Sequence, residues 1–119
     1  MAAIRWITLR VQDLDRSKAF YGDFLGLEAV REFSLPGGMR FAFYQADGGM
    51  QIELIEGNRT EAAADPNISI GIAVSAYEKI LSEARADGIL IVEPQILGGQ
   101  LECFFITDPD GTAIQIIRA

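Results

Sequence analysis

Two polar residues interrupt apolar alternation in this chain: Glu53 in "MQIELIE" and Gln115 in "TAIQIIR", 62 residues apart. A carboxylate on a strand face can accept hydrogen bonds, bind a cation or move a proton. An amide donates and accepts but does not titrate. Two further groups share the opening stretch "RWITLR". Trp6 offers a flat stacking wall, and Arg10 is a permanent cation suited to carboxylates and phosphates. Each has a plainer reading. Trp6 could fill a core near the chain start, and Glu53 could be neutralised by a salt bridge to Arg10. An inward-facing carboxylate without a partner must meet water, a cation or a proton donor. The sharper reading of Glu53 is a recognition carboxylate. It ranks ahead of a base because nothing in the sequence supplies a partner acid.

Absences narrow the chemistry. The chain contains no histidine, so Ser–His–Asp and Cys–His arrangements are impossible, and the commonest ligand of zinc and iron sites is missing. The single cysteine, Cys103, makes no internal disulfide; it reads as a small hydrophobe in a reducing compartment, and a cytoplasmic location is expected. With 17 acidic against 10 basic residues, the net charge of −7 opposes binding to nucleic acid and leaves a cationic or neutral small molecule open. No apolar run approaches the roughly 20 residues of a membrane helix. "MAAIRWI" lacks the basic-then-apolar layout of a signal peptide. "GGMRF" and "LGGQLE" carry paired glycines, which read as hairpin turns without the surroundings of a nucleotide loop.

The elements that must position these groups are written twice. Ile4–Val11 alternates as a strand. In "DLDRSKAFYGDFLG", Asp13 is placed as a helix N-cap, Leu14, Phe20, Tyr21, Phe24 and Leu25 form an apolar face, and Gly26 is placed to end the helix. Strands follow at about Glu28–Ser34, Met39–Gln45 and Met50–Glu56. The stretch 57–67 is a connector. Then come a strand at Ile68–Val74 and a helix in "SAYEKILSEARADG" with Tyr77, Ile80, Leu81 and Ala84 on one face. Strands at Leu90–Glu93, Leu101–Thr107 and Thr112–Arg118 close the chain. Gly26 and Gly88, Phe43 and Phe105, and Gly49 and Gly111 all stand 62 residues apart. The expected fold is therefore α+β within one 119-residue domain: two βαβββ modules, 4–56 and 68–118, forming a curved mixed sheet with helices on its outer face.

Period two then assigns the faces. Ile52, Leu54, Ile114 and Ile116 pack under the helices. Trp6, Arg10, Glu53, Ser69 and Gln115 face the open side. Phe43, Phe104 and Phe105 add aromatic area, with core packing expected for at least two of them.

"ITLRVQDLDRSKAFYGDFLGL", "MQIELIEG" and "FFITDPDGTAIQII", in register with the doubled unit, resemble the vicinal oxygen chelate superfamily. That group includes glyoxalase I, the bleomycin-resistance proteins and the extradiol dioxygenases. The resemblance covers essentially the whole chain and implies paired βαβββ modules assembled as a homodimer. It implies metal-ligand places at Trp6, Glu53, Ser69 and Gln115, where only Glu53 is a usual carboxylate ligand; no metal and no other cofactor is expected. It also aligns Arg10 with a position that holds a substrate carboxylate in glyoxalase I. The function this favours is metal-independent binding of a small-molecule ligand through Trp6, Arg10, Phe43, Glu53, Ser69 and Gln115, sequestering an antibiotic or a metabolite. The alternative is a glyoxalase-like lyase or isomerase with Glu53 as its catalytic base and Arg10 or Ser69 steadying an oxyanion. A third possibility is an interaction module with a vestigial hollow.

Overall fold

A computed structural model describes residues 1–57 and 64–119, and the chain divides into two compact units, Met1–Ala62 and Ala63–Ala119. Unit 1 runs β1 (Trp6–Arg10), α1 (Leu14–Lys18), a π-helical continuation (Ala19–Phe24), β2 (Glu28–Ser34), β3 (Arg40–Gln45) and β4 (Gln51–Glu56). Its sheet has the order β1-β4-β3-β2, with β1 parallel to β4 and the other pairs antiparallel. Unit 2 repeats the order as β5 (Ser69–Val74), α2 (Tyr77–Ala86), β6 (Leu90–Leu97), β7 (Leu101–Thr107) and β8 (Ala113–Arg118). Its sheet order is β5-β8-β7-β6, with β5 parallel to β8. The doubled α+β architecture is thus built as two four-stranded mixed sheets, one in each unit.

Local chemistry sets the helices. Asp13 has extended backbone and its carboxylate accepts the Arg16 N–H at 3.2 Å, which satisfies one orphan donor of the first turn. Past Lys18 the helix widens: the Leu25 N–H donates to the Phe20 carbonyl at 2.9 Å, five residues back. The widened turn still buries Phe20, Tyr21 and Leu25, while Phe24 stays partly exposed. Gly26 then takes φ +80°, and Gly88 takes φ +72° after α2; both are left-handed turns open to glycine at no steric cost.

Each sheet buries one face beneath its helix. In unit 1, Leu14, Tyr21 and Leu54 lose all contact with solvent; in unit 2, Tyr77, Phe104, Ile106, Ile114 and Ile116 do so almost completely. Polar ties hold the helical layer in register. The Leu14 N–H donates to Glu56 Oε1 at 2.7 Å, and Lys18 pairs with Glu32 at 2.7 Å. Arg40, hydrogen-bonded to Asp15 at 3.0 Å, holds that carboxyl below its usual range. No described helix is long and apolar enough to cross a membrane.

Strand ends differ from the sequence reading by a residue or two, except at β6. That strand continues through Pro94 to Leu97, beyond the expected end at Glu93. It is an edge strand whose pairing skips from Val92 to Gln95, so the missing proline N–H costs no ladder bond. The other edge strand, β2, shifts register between Ala29 and Arg31.

Candidate functional site

In unit 1 the ladder pairing assembles a row across the uncovered sheet face. Thr8 of β1 lies opposite Glu53 of β4, Glu53 opposite Phe43 of β3, and Phe43 opposite Arg31 of β2. Directly paired residues share a face, so these four project together. Trp6 and Arg10 flank Thr8 along β1 with the same parity and are exposed, whereas Val11 is buried. The alternation that placed Trp6, Arg10 and Glu53 on one face therefore agrees with the register.

The salt bridge between Arg10 and Glu53, the plainer reading of that carboxylate, is not formed. Glu53 Oε1 instead accepts the Thr8 hydroxyl at 2.5 Å, and among the described residues no ion pair involves Arg10. The reason is register: Arg10 lies opposite Ile55, one step along from the Thr8–Glu53 pair, and the short hydroxyl is the nearer donor. A charge-assisted bond of this kind is strong for its length and leaves the second carboxylate oxygen for another donor.

Aromatic rings surround the row. Trp6 meets Phe43 edge to face, with centroids 5.6 Å apart and planes at 84°. Phe33 stacks on Phe41 at 4.8 Å. Arg31 lies over both Phe43 and Phe33, its guanidinium carbon 4.7 and 5.4 Å from the two ring centres. Phe43 is therefore only 3% exposed, whereas Trp6 is 46% exposed. The phenyl ring supports its neighbours, and the indole is the aromatic surface that remains open. Sequence reading gave no role to Thr8, Arg31, Phe33 or Phe41. Their signal is the cross-strand register, which no local pattern reveals.

The equivalent row in unit 2 is Gly71, Gln115, Phe105 and Val92. Gln115 projects beside Ile117 and Ala113, and its amide nitrogen donates to the Cys103 sulfur at 3.4 Å. A Cβ on Gly71 would lie 3.6 Å from Gln115 Oε1, in ordinary van der Waals contact. Ser69 lies exposed at the start of β5, opposite Ala113. Phe104 is fully buried under α2, and Phe105 is half-buried beside Gln115. The charged and hydroxyl groups of the unit 1 row thus have apolar or neutral counterparts in unit 2.

The four places where the resemblance implies metal ligands hold an indole, a carboxylate already hydrogen-bonded by Thr8, a hydroxyl, and an amide bonded to a thiol. An indole offers no lone pair, and one carboxylate with weak neutral donors is a poor set for zinc, nickel, manganese or iron. Among the described residues no group of three or more His, Cys, Asp or Glu side chains could hold an ion. The donor set does not fit the family's divalent metal.

A family model described as Glyoxalase/Bleomycin resistance protein/Dioxygenase superfamily matches residues 3–116. Among solved structures, Leishmania major glyoxalase I, described as trypanothione-dependent, superposes with a TM-score of 0.77 at 23% identity, over 99% of this chain and 87% of its own. The fosfomycin resistance protein FosX of Listeria monocytogenes does so with a TM-score of 0.75 at 19% identity, over 100% of this chain and 94% of its own. Zea mays glyoxalase I gives a TM-score of 0.80 at 23% identity over 98% of this chain, which spans 44% of that longer protein. No curated protein sequence matches the chain. At these identities the likeness is one of fold.

Proposed function

The chain belongs to the Glyoxalase/Bleomycin resistance protein/Dioxygenase superfamily, and from that premise we propose that it binds a small molecule without a metal, in the manner of a sequestering protein. The observation that carries this reading is Trp6. At a place where the resemblance implies a metal ligand stands an exposed indole braced edge-on by Phe43. A rigid, half-open aromatic wall is a binding element: it offers contact area at little entropic cost, and a planar guest can stack on it. Glu53, steered by Thr8, supplies an acceptor beside that wall, and Arg10 is a cation on the same face. Ser69 and Gln115 are proposed as neutral polar ligand contacts on the corresponding face of unit 2. An antibiotic or a metabolite with a planar part is the class of guest these groups suit.

A lyase or isomerase using Glu53 as base is the second reading, favoured by the carboxylate oxygen that the Thr8 bond leaves over. It would draw a proton from carbon beside a carbonyl, with Arg10 or Ser69 steadying the oxyanion. Self-association as a homodimer and a cytoplasmic location complete the proposal. Ile91 and Ile96, exposed on the edge strand β6, support the first, and the buried free thiol of Cys103 supports the second.

Chelator-treated protein, incubated with the hemithioacetal of methylglyoxal and glutathione, separates these readings. The binding reading predicts no turnover and no stoichiometric zinc, nickel, manganese or iron in the purified protein. Turnover that persists in chelator and disappears in Glu53→Gln would establish the second reading. Turnover that returns only with added divalent metal would overturn both.

A further inference from the structure

Arg31 is held in place on the open face of unit 1, yet among the described residues no carboxylate pairs with it. Lying 5.4 and 4.7 Å from two phenyl ring centres restrains its guanidinium, whose five N–H donors suit an anionic acceptor. The β2 bulge puts it there. Ala29 pairs with Tyr44, whose parity is that of the helix-covered face, and strict alternation would send Arg31 to that same face. The extra residue, Val30, turns the strand over so that Arg31 lies opposite Phe43 instead. A hollow of about 240 Å³ opens at this bulge, lined by residues 29–32 of β2 and 42–44 of β3, so it lies at the strand edge where Arg31 is turned over. Arg10 shares the face but has no ring contact among the described residues, so its guanidinium is less constrained before a ligand arrives.

Arg31 and Glu53 stand on β2 and β4, with Phe43 of β3 between them. Two strand spacings separate their backbones by about 10 Å. We propose that Arg31 receives the anionic end of the ligand, and that the ligand is amphoteric: a planar body, an oxyanion for Arg31 and an amine or hydroxyl donor for Glu53. This deepens the binding reading above and rests on it. Bulges commonly re-aim a side chain where function needs it. Here the re-aimed side chain forks toward the one chemistry, carboxylate or phosphonate, that a guanidinium recognises bidentately.

Trp6 is the sole tryptophan of the chain, so its fluorescence reports on this face alone. The test titrates 4-(aminomethyl)phenylacetate and its phosphonate analogue, with benzylamine and phenylacetate as single-charge counterparts. The amphoteric probes should bind at least about tenfold more tightly than either counterpart, and the better of the two identifies the oxyanion. Arg31→Gln should weaken phenylacetate about tenfold and leave benzylamine within about twofold; Glu53→Gln should do the reverse. Arg31→Lys, which keeps the charge and loses the fork, should fall between. Arg16→Gln removes the same charge from α1 and should change nothing. If the probes bind but Arg31→Gln matches Arg16→Gln, or if Arg10→Gln takes the loss instead, the inference fails and the binding reading stands. If no probe perturbs Trp6 in the folded wild-type protein, both fail.

Discussion

Phe43 is the residue on which the unit 1 face depends, because Trp6 leans on one side of its ring and Arg31 on another. Its 3% exposure makes it as much a core residue as any under the helix. Phe43→Ala should lower unfolding stability by about 3–5 kcal/mol, since it removes a buried ring and leaves a cavity. The check is a urea titration in which the midpoint falls and Trp6 emission of the folded protein shifts red. An unchanged emission maximum would mean that the indole is held by something other than this ring. Candidate residues of this kind are partly legible in sequence. Trp6, Arg10 and Glu53 follow from period two alone. The Thr8–Glu53 bond and the Gln115–Cys103 contact do not, because they join strands whose pairing is non-local.

At the scale of elements, the widened helix after Lys18 packs directly on β3. A Cβ added to Gly22 would lie 2.9 Å from Tyr44 Cε1, on a ring that is itself buried. Replacing glycine by alanine in a helix ordinarily stabilises by up to about 1 kcal/mol. Here the clash should outweigh that gain, and Gly22→Ala should destabilise by about 1–3 kcal/mol. A second element-scale expectation concerns the cap. Asp13→Ala removes the acceptor for the Arg16 N–H and should cost about 1 kcal/mol in thermal or urea unfolding, with the binding face unaffected. Sequence pattern placed this helix, its cap and its terminal glycine. It did not show the change to five-residue hydrogen bonding, because apolar spacing tolerates a wider turn as easily as a regular one. Nor did it show the bulge at Val30, since a bulge is a property of two strands paired together.

At the scale of the whole molecule, one architecture has been used twice with different contents. The equivalence of Glu53 with Gln115 was legible by subtraction of residue numbers, and ladder pairing places each in the same row of its own sheet. What subtraction could not reveal is that the unit 1 row carries the charge while the unit 2 row carries Gly71, Phe105 and Val92. The surface charges also predict how the fold responds to acid. Hydrogen bonds and charge from Arg40, Arg85 and Arg118 hold Asp15, Glu93 and Glu102 below their ordinary values. Groups depressed in the folded state add stability above their unfolded values and lose it as pH falls through the folded ones. Stability should therefore be flat with respect to these carboxylates from pH 7 to about 5 and decline below about 4. Asp15 and Glu93 are exposed and Glu102 is half-buried, all within reach of solvent ions, so the decline should shrink in high salt. A loss of stability that begins near neutral pH would assign acid sensitivity to other groups.

The claim on which the functional account rests is recognition of a small molecule without a metal, and calorimetry of chelator-treated protein with 4-(aminomethyl)phenylacetate tests it most directly. The account predicts the same affinity before and after chelation, and an affinity about tenfold weaker in Glu53→Gln. Affinity that vanishes on chelation and returns with one equivalent of a divalent metal would contradict it.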